Sequence, residues 1–415
     1  MSKRIGALIF IFGCTSLAWM FLGSTIDSRT NSSDSKLQSK VASTWGTAQE
    51  QCPPNAAYRR EEERKVPIEE KGKVVYHSET VVHSGSLPLE ASRIAVNLHL
   101  DHRQKGLLWY STYAVAFDGT YQFRSPSDHD ERVTFQLPFP AASAIYDDLV
   151  TEVDGVSIQP TTEGNAVLVQ AAVKAGQPAT FRVSYKSQGL DAWRYKLGDT
   201  VAQARNFSLQ MTTNFRDIDF ADNTLSPTEK RPIAGGWELH WDYKNLVSGF
   251  AIGMTMPEKL QPGPLAGQIS YFAPVSLLFF FFVMFVITTI KNIDLHPMNY
   301  FFLATAFFAF HLLLAYLVDH ISIHLAFVIC SAVSIFLVVS YLRLVVGMRF
   351  ALVEAGVTQF LYLVLFSYAF FFKGFTGLAV TIGAIASLFV VMQVTGRIKW
   401  SEKFDGQMLP VQSRP

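Results

Sequence analysis

The sequence predicts a membrane protein: an α-helical bundle of about six transmembrane helices, with an exported all-β domain, antiparallel and sandwich-like, inserted after the first helix. Three observations carry that expectation. Hydrophobic residues make up 49% of the 415 and charged residues only 17%, below the roughly 25% of an average soluble protein. The 34 Phe crowd into the last third of the chain. Between about 73 and 256, by contrast, apolar residues recur with a period of two, the spacing of half-buried strands. A formal net charge of +1 gives no excess that points to nucleic acid.

The first element is residues 5–22, IGALIFIFGCTSLAWMFL, preceded by Lys3 and Arg4. Its length suits a membrane span, and the exit MFLGSTIDS makes a poor cleavage site, so it reads as a retained N-terminal anchor rather than a signal peptide. Residues 26–72, rich in Ser, Thr, Gln and charge and including RREEERK, read as a polar, solvated linker. From 73 to 256, SRIAVNLHL, ERVTFQLPF, ATFRVSYKSQ and GWELHWDY alternate apolar with polar residues. Turn signals such as FDGTY and EVDGVS separate them, as in a sandwich or barrel. A Pro/Gly hinge, QPGPLAGQ at 261–268, closes this region. Five apolar spans follow, at about 271–290, 297–318, 322–342, 351–372 and 375–395, each near the 20 residues that cross a bilayer. They make a five-helix transmembrane domain at 271–397, with a polar tail at 398–415.

Orientation follows from the loop cations. With the N-terminus inside, Lys3, Arg4, Lys291, Arg343, Arg349, Arg397, Lys399 and Lys403 are cytoplasmic. The short outer loops then hold only Lys373, beside Asp319 and His320. Both termini are therefore expected in the cytoplasm and the β domain in the periplasm. Cys14, Cys52 and Cys330 form no CxxC pair, and Cys52 is alone in the polar region, so neither an internal disulfide nor a cysteine metal site is expected.

The run from TLSPTEKRPIAGGWELHWDYKNL through IKNIDLHPMNYFFLATAFFAFHLLLAYLVDHISIHLAFVICSAVSIFLVVSYL resembles the CreD family of bacterial inner-membrane proteins. The LHPMxY element at 295–300, the LLLAYLxxH element at 313–320, and the small residues Ala332 and Ser334 in the run that follows carry the match, which covers residues 205–400. The resemblance implies a cell-envelope integrity protein of the inner membrane, connected with stress response and colicin tolerance. It supplies no catalytic residues.

Four residues of this stretch are candidate functional positions: His296, His311, Asp319 and His320. His296 precedes Pro297, which suits the first turn of a helix, so the pair reads as an interfacial helix start. His311 falls well inside its span, where an imidazole has to face another helix rather than lipid. Asp319 follows too far along the helix for a direct bond to His311, although both could open onto one polar cavity. Asp319, His320 and His324 lie in or beside a tight outer turn, and reading them as a hairpin cap outweighs reading them as zinc ligands. Glu354 is expected to pair with Arg349 or Arg343, while Gln359 and Gln393 are the other polar residues of the spans. In the outer domain His77, His83, His99, His102 and His129 are scattered, and Trp193, Trp237 and Trp241 are expected to pack the core or meet the membrane.

No GxSxG, HExxH or SxxK occurs in the outer domain. The expectation is a non-enzymatic envelope protein, without metal or cofactor, that meets the lipid bilayer and other envelope components. The alternative is a transporter or intramembrane enzyme using a cavity around His311 and Asp319, though no broken-helix pair or repeat supports it.

Overall fold

The computed structural model describes residues 2–70, 73–105, 108–198, 200–372 and 374–396. The tail at 398–415 lies outside the described residues, as do Lys373, Arg397, Lys399 and Lys403. Two compact units are present, one of Met1–Lys36, Gly106–Leu108 and Leu260–Pro415, the other of Leu37–Lys105 and Trp109–Lys259.

Helix α1 runs from Ser2 to Trp45. The strands are β1 (Gln49–Gln51), β2 (Asn55–Glu70), β3 (Lys73–Ser86), β4 (Leu89–Lys105), β5 (Leu108–Arg124), β6 (Glu131–Pro138), β7 (Tyr146–Val153) and β8 (Val156–Ser157). They continue as β9 (Thr161–Glu163), β10 (Ala166–Val173), β11 (Pro178–Leu190), β12 (Ala192–Tyr195), β13 (Ala202–Thr213), β14 (Glu229–Ile233), β15 (Gly236–Ser248) and β16 (Ile252–Thr255).

Three sheets result, ordered β1-β12-β16, β3-β2-β6-β10-β9 and β14-β15-β13-β4-β5-β11-β7-β8. Strict alternation makes this possible: along β5, Val115, Phe117, Tyr121 and Phe123 are buried while Ala114, Ala116 and Gln122 are exposed. The buried faces meet as a sandwich. Phe135 of β6 packs on Phe123 at 5.6 Å and on Phe181 of β11 at 5.2 Å, joining the five- and eight-stranded sheets. Tyr195 of β12 meets Phe207 of β13 at 5.9 Å, seating the small sheet on the same core. The sheets are not wholly antiparallel as expected: β13 pairs with β4 in parallel, and β1 with β12. Pairing partners are chosen by long crossovers, which a two-residue period does not encode.

The expected solvated linker at 26–72 is instead ordered structure over its described residues, 26–70. Helix α1 continues to Trp45, because no Gly or Pro stands between Ser24 and Trp45 and because Ile26, Thr30 and Val41 are buried. RREEERK lies in β2, which pairs along its length with β3, where Arg64 opposes Glu79. The charges are the two solvated faces of a ribbon, not a disordered run.

The other unit holds α2 (Pro262–Ile290), α3 (Pro297–Leu317), α4 (Ile323–Val345), α5 (Phe350–Phe371, with wide π turns at Phe350–Gly356 and Phe360–Leu365) and α6 (Thr376–Thr395). With α1, six helices among the described residues are long and apolar enough to cross a membrane. The expected hinge at 261–268 is the opening of α2. Pro262 and Pro264 fall in its first turn, where backbone N–H groups have no intrahelical acceptor to lose.

Gly263 and Gly267, in the first two turns of α2, are where α1 approaches. A Cβ on Gly263 would stand 2.6 Å from Thr30 Oγ1, and one on Gly267 2.7 Å from Asp27 Oδ1. A third close approach comes from α1, where a Cβ on Gly23 would meet the Tyr271 ring at 2.8 Å. This small-xxx-small spacing lets helix backbones meet closely in lipid.

Candidate functional site

The helical unit positions the four candidate residues separately. Pro297 begins α3, and His296 caps it: its Nδ1 accepts from the Met298 N–H at 3.2 Å. His311 lies two-thirds of the way along α3 and is 1% exposed. Its Nδ1 is 3.1 Å from the Phe307 carbonyl, which makes that nitrogen the protonated donor. The ring is enclosed by Trp19 of α1 at 5.5 Å, Phe310 at 4.9 Å and Phe307 at 6.1 Å. Its Nε2 and the Trp19 indole N–H have no hydrogen-bond partner among the described residues. His311 thus faces another helix, α1.

Asp319 stands apart from this ring. It pairs with Arg29 of α1 at 3.2 Å, and the same guanidinium donates to the Ala315 carbonyl at 2.8 Å. Arg29 also lies over the Tyr316 ring at 5.6 Å. A cation here answers the free carbonyls at the C-terminus of α3 as well as the carboxylate. The sequence reading missed Arg29 because it treated residues after 25 as linker. The usable signal was the lack of any helix breaker beyond the apolar run.

His320 lies in the turn between α3 and α4, and His324 in the first turn of α4 with its ring 5.2 Å from Phe371. No group of three or more His, Cys, Asp or Glu able to hold a metal occurs among the described residues.

The remaining polar groups tie helices together. Glu354 bonds Lys291, at the end of α2, rather than Arg349 or Arg343. The fold brings that end beside the start of α5, and a long-range partner of this kind has no sequence signature. Gln359 donates to Ser334 Oγ at 2.7 Å, and Ser334 donates to the Ala306 carbonyl at 2.7 Å, linking α5, α4 and α3. Tyr341 donates to Asn299 at 2.8 Å.

In the β unit the notable feature is the face of the eight-stranded sheet turned away from the core. Two concavities of about 410 and 440 Å³ share Asn97, Ala116 and Lys186. Together they form one trough across β4, β5 and β11, with Gln210 and Thr212 of β13 at one side. Ala95, Ala114, Ala116 and Ser184 floor it, so the depression arises from short side chains on outward positions of adjacent strands.

The cations in and beside the trough, Lys186 in its lining and Arg182 next to it on β11, are paired. Arg182 reaches Asp118 at 2.7 Å and Glu152 at 3.4 Å, and Lys186 reaches Asp148 at 2.8 Å. Those carboxylates, by hydrogen bonding first and charge second, hold both cations' pKa values above the ordinary range. His99 lines the trough, whereas His102 Nε2 lies 2.8 Å from the Pro257 carbonyl. Trp193 and Trp241 are fully buried in this unit's core, and Trp237 donates to the Arg216 carbonyl at 2.9 Å.

The family model for inner membrane protein CreD matches residues 266–401. Over that segment the chain is similar to the CreD family. The CreD match covers α2 to α6, and with them His296, His311, Asp319, His320 and the Lys291–Glu354 pair. It begins later than residue 205, leaving the β unit outside the matched segment.

No curated protein matches the chain. Among solved structures, one described as a nutrient binding protein from Legionella pneumophila is 9% identical, with a TM-score of 0.33 over 57% of this chain and 76% of its own. An M1 zinc metallopeptidase from Deinococcus radiodurans is 12% identical, with a TM-score of 0.27 over 41% of this chain and 42% of its own. An aminopeptidase N family protein from Idiomarina loihiensis is 12% identical, with a TM-score of 0.21 over 45% and 36%. The chain spans under half the length of these two peptidases.

Proposed function

We propose that this CreD-like protein is an envelope-integrity factor of the bacterial inner membrane, whose β unit is exported and binds another envelope component. In this reading both termini are cytoplasmic, the helical unit is the anchor, and no reaction is catalysed. The stress-response and colicin-tolerance setting of the family comes with it. One observation carries the binding role: the outward face of the eight-stranded sheet holds a continuous trough floored by Ala and Ser, while its other face is sealed in the core. Concave sites with convergent polar groups are where ligands bind.

The transporter or enzyme alternative gains no support from the geometry, since His311 is walled by aromatic rings and Asp319 is engaged by Arg29.

A photo-crosslinking residue placed at His99, in the trough, is expected to give discrete adducts in native membranes. The same residue at Glu163, on the other large sheet, is expected to give none. Equal labelling from both positions overturns the binding role. A membrane-impermeant thiol reagent should label Glu163→Cys in intact spheroplasts, and protection there overturns the export.

A further inference from the structure

The chemistry of the trough restricts what can occupy it. Strands β4, β5, β11 and β13 are interior to their sheet, each hydrogen-bonded on both edges. A peptide therefore finds no free strand edge to extend. Arg182 and Lys186 already face carboxylates, so no unpaired cation waits for a phosphate or an acidic chain. The rings beneath the floor, Phe117 and Tyr185, are 2% and 3% exposed and stack on each other at 5.0 Å, leaving no aromatic platform for a flat heterocycle. An apolar ligand would strip water from Asn97, Gln210, Thr212 and Ser184 without replacing its hydrogen bonds.

The lining carboxylates are engaged as well, Asp118 by Arg182, Asp148 by Lys186 and Asp147 by the Asp148 N–H, so what remains is an uncharged chain rich in hydroxyl and amide groups, with small C–H faces that can sit on alanine methyls. We propose that the trough binds a neutral glycan chain. This rests on the envelope-binding role proposed above and names its partner class. The pairing of strands fixes the layout. Ala95 stands beside Gln210 and Asn97 beside Thr212 across β4 and β13, while Ala116 stands beside Lys186 and Asp118 beside Ser184 across β5 and β11. Amide and hydroxyl groups line one wall, ion-paired groups the other, and methyls lie between. Sugar hydroxyls donate to Asp118 and to the Asn97 and Gln210 carbonyls, and accept from the two amides. The continuity of the two concavities suits several sugar units in a row rather than one.

The test uses the full-length protein in nanodiscs and calorimetric titration with chitotetraose, cellotetraose and maltotetraose. At least one of these should bind saturably, with affinity unchanged between low and high salt because no ion pair forms with the ligand. Ala116→Trp, which fills the trough from an exposed position, should weaken binding about ten-fold or more. Asn97→Ala, which removes hydrogen bonds without altering the floor, should weaken it about three- to ten-fold. Failure of all three tetrasaccharides to bind the folded wild-type protein overturns the proposal, as does undiminished binding to both variants. If adducts still form at His99 when no saccharide binds, the occupant is another envelope component and only the glycan assignment falls. If adducts are absent as well, both readings fall.

Discussion

His311 shows how a membrane interior treats a polar side chain. Its Nδ1–H is satisfied within α3 by the Phe307 carbonyl, and the rest of the ring behaves as a third aromatic between Trp19 and Phe310. His311→Ala should therefore act as a cavity mutation, costing about 2 kcal/mol or more. His311→Phe, which keeps the ring volume, should stay within about 1.5 kcal/mol of wild type. Unfolding in mixed micelles compares the two, and equal damage from both variants would show that Nε2 makes a bond the packing account omits. A His311→Phe protein that folds normally yet loses its envelope phenotype would instead restore the intramembrane-site alternative. Asp319 differs because its partner lies far away in sequence. Its apparent freedom in VDHISIH ends once Arg29 is placed on a helix that passes Ala315 and Asp319.

At the scale of elements, α1 does more than tether. Gly263 and Gly267 admit its Thr30 and Asp27, Trp19 closes over His311, and Arg29 caps α3. Adding side chains at the glycine contacts should separate α1 from α2. Gly263→Val with Gly267→Leu is expected to lower stability by about 1–3 kcal/mol, the range for overpacking. The loss should appear both in micelle unfolding and as weaker crosslinking between paired cysteines on the two helices. Unchanged crosslinking would mean that the close approach is not a packing seam. The sequence displayed the GPLAG spacing, but its Pro and Gly read there as a hinge. Whether such residues bend a chain or let two helices meet depends on what lies opposite, and periodicity carries no such information.

At the scale of the molecule, the β unit gives a pH signature of its own. Burial pushes the phenols of Tyr113, Tyr121, Tyr185 and Tyr195 well up, and that of Tyr146 up to about 12. For these groups the folded state holds the proton more tightly than the unfolded chain, whose phenols titrate near pH ~10. Their contribution is thus fully present below about pH 10 and is lost as pH rises through the folded values. Denaturant unfolding followed by tyrosine absorbance should show stability falling steeply above about pH 10, with the buried tyrosines' share of the phenolate absorbance appearing only together with unfolding. Phenolate absorbance from all 15 tyrosines near pH 10 in a still-folded protein would contradict this burial.

Two classes of information separate across the whole chain. The six apolar spans, the alternating strand region, the helix start at His296 and Pro297, and the family of the helical segment were legible in the sequence. Each rests on local composition, short periodicity or a contiguous motif, which a linear chain displays directly. Tertiary structure alone decided that residues 26–45 extend α1, that Arg29 answers Asp319 and Lys291 answers Glu354, and that β13 lies parallel to β4. It alone also gathered Ala95, Asn97, Ala116 and Ser184 into one trough. Those features are contacts between segments far apart in the chain. The energy that selects them comes from three-dimensional neighbours, and no single stretch of sequence contains both partners.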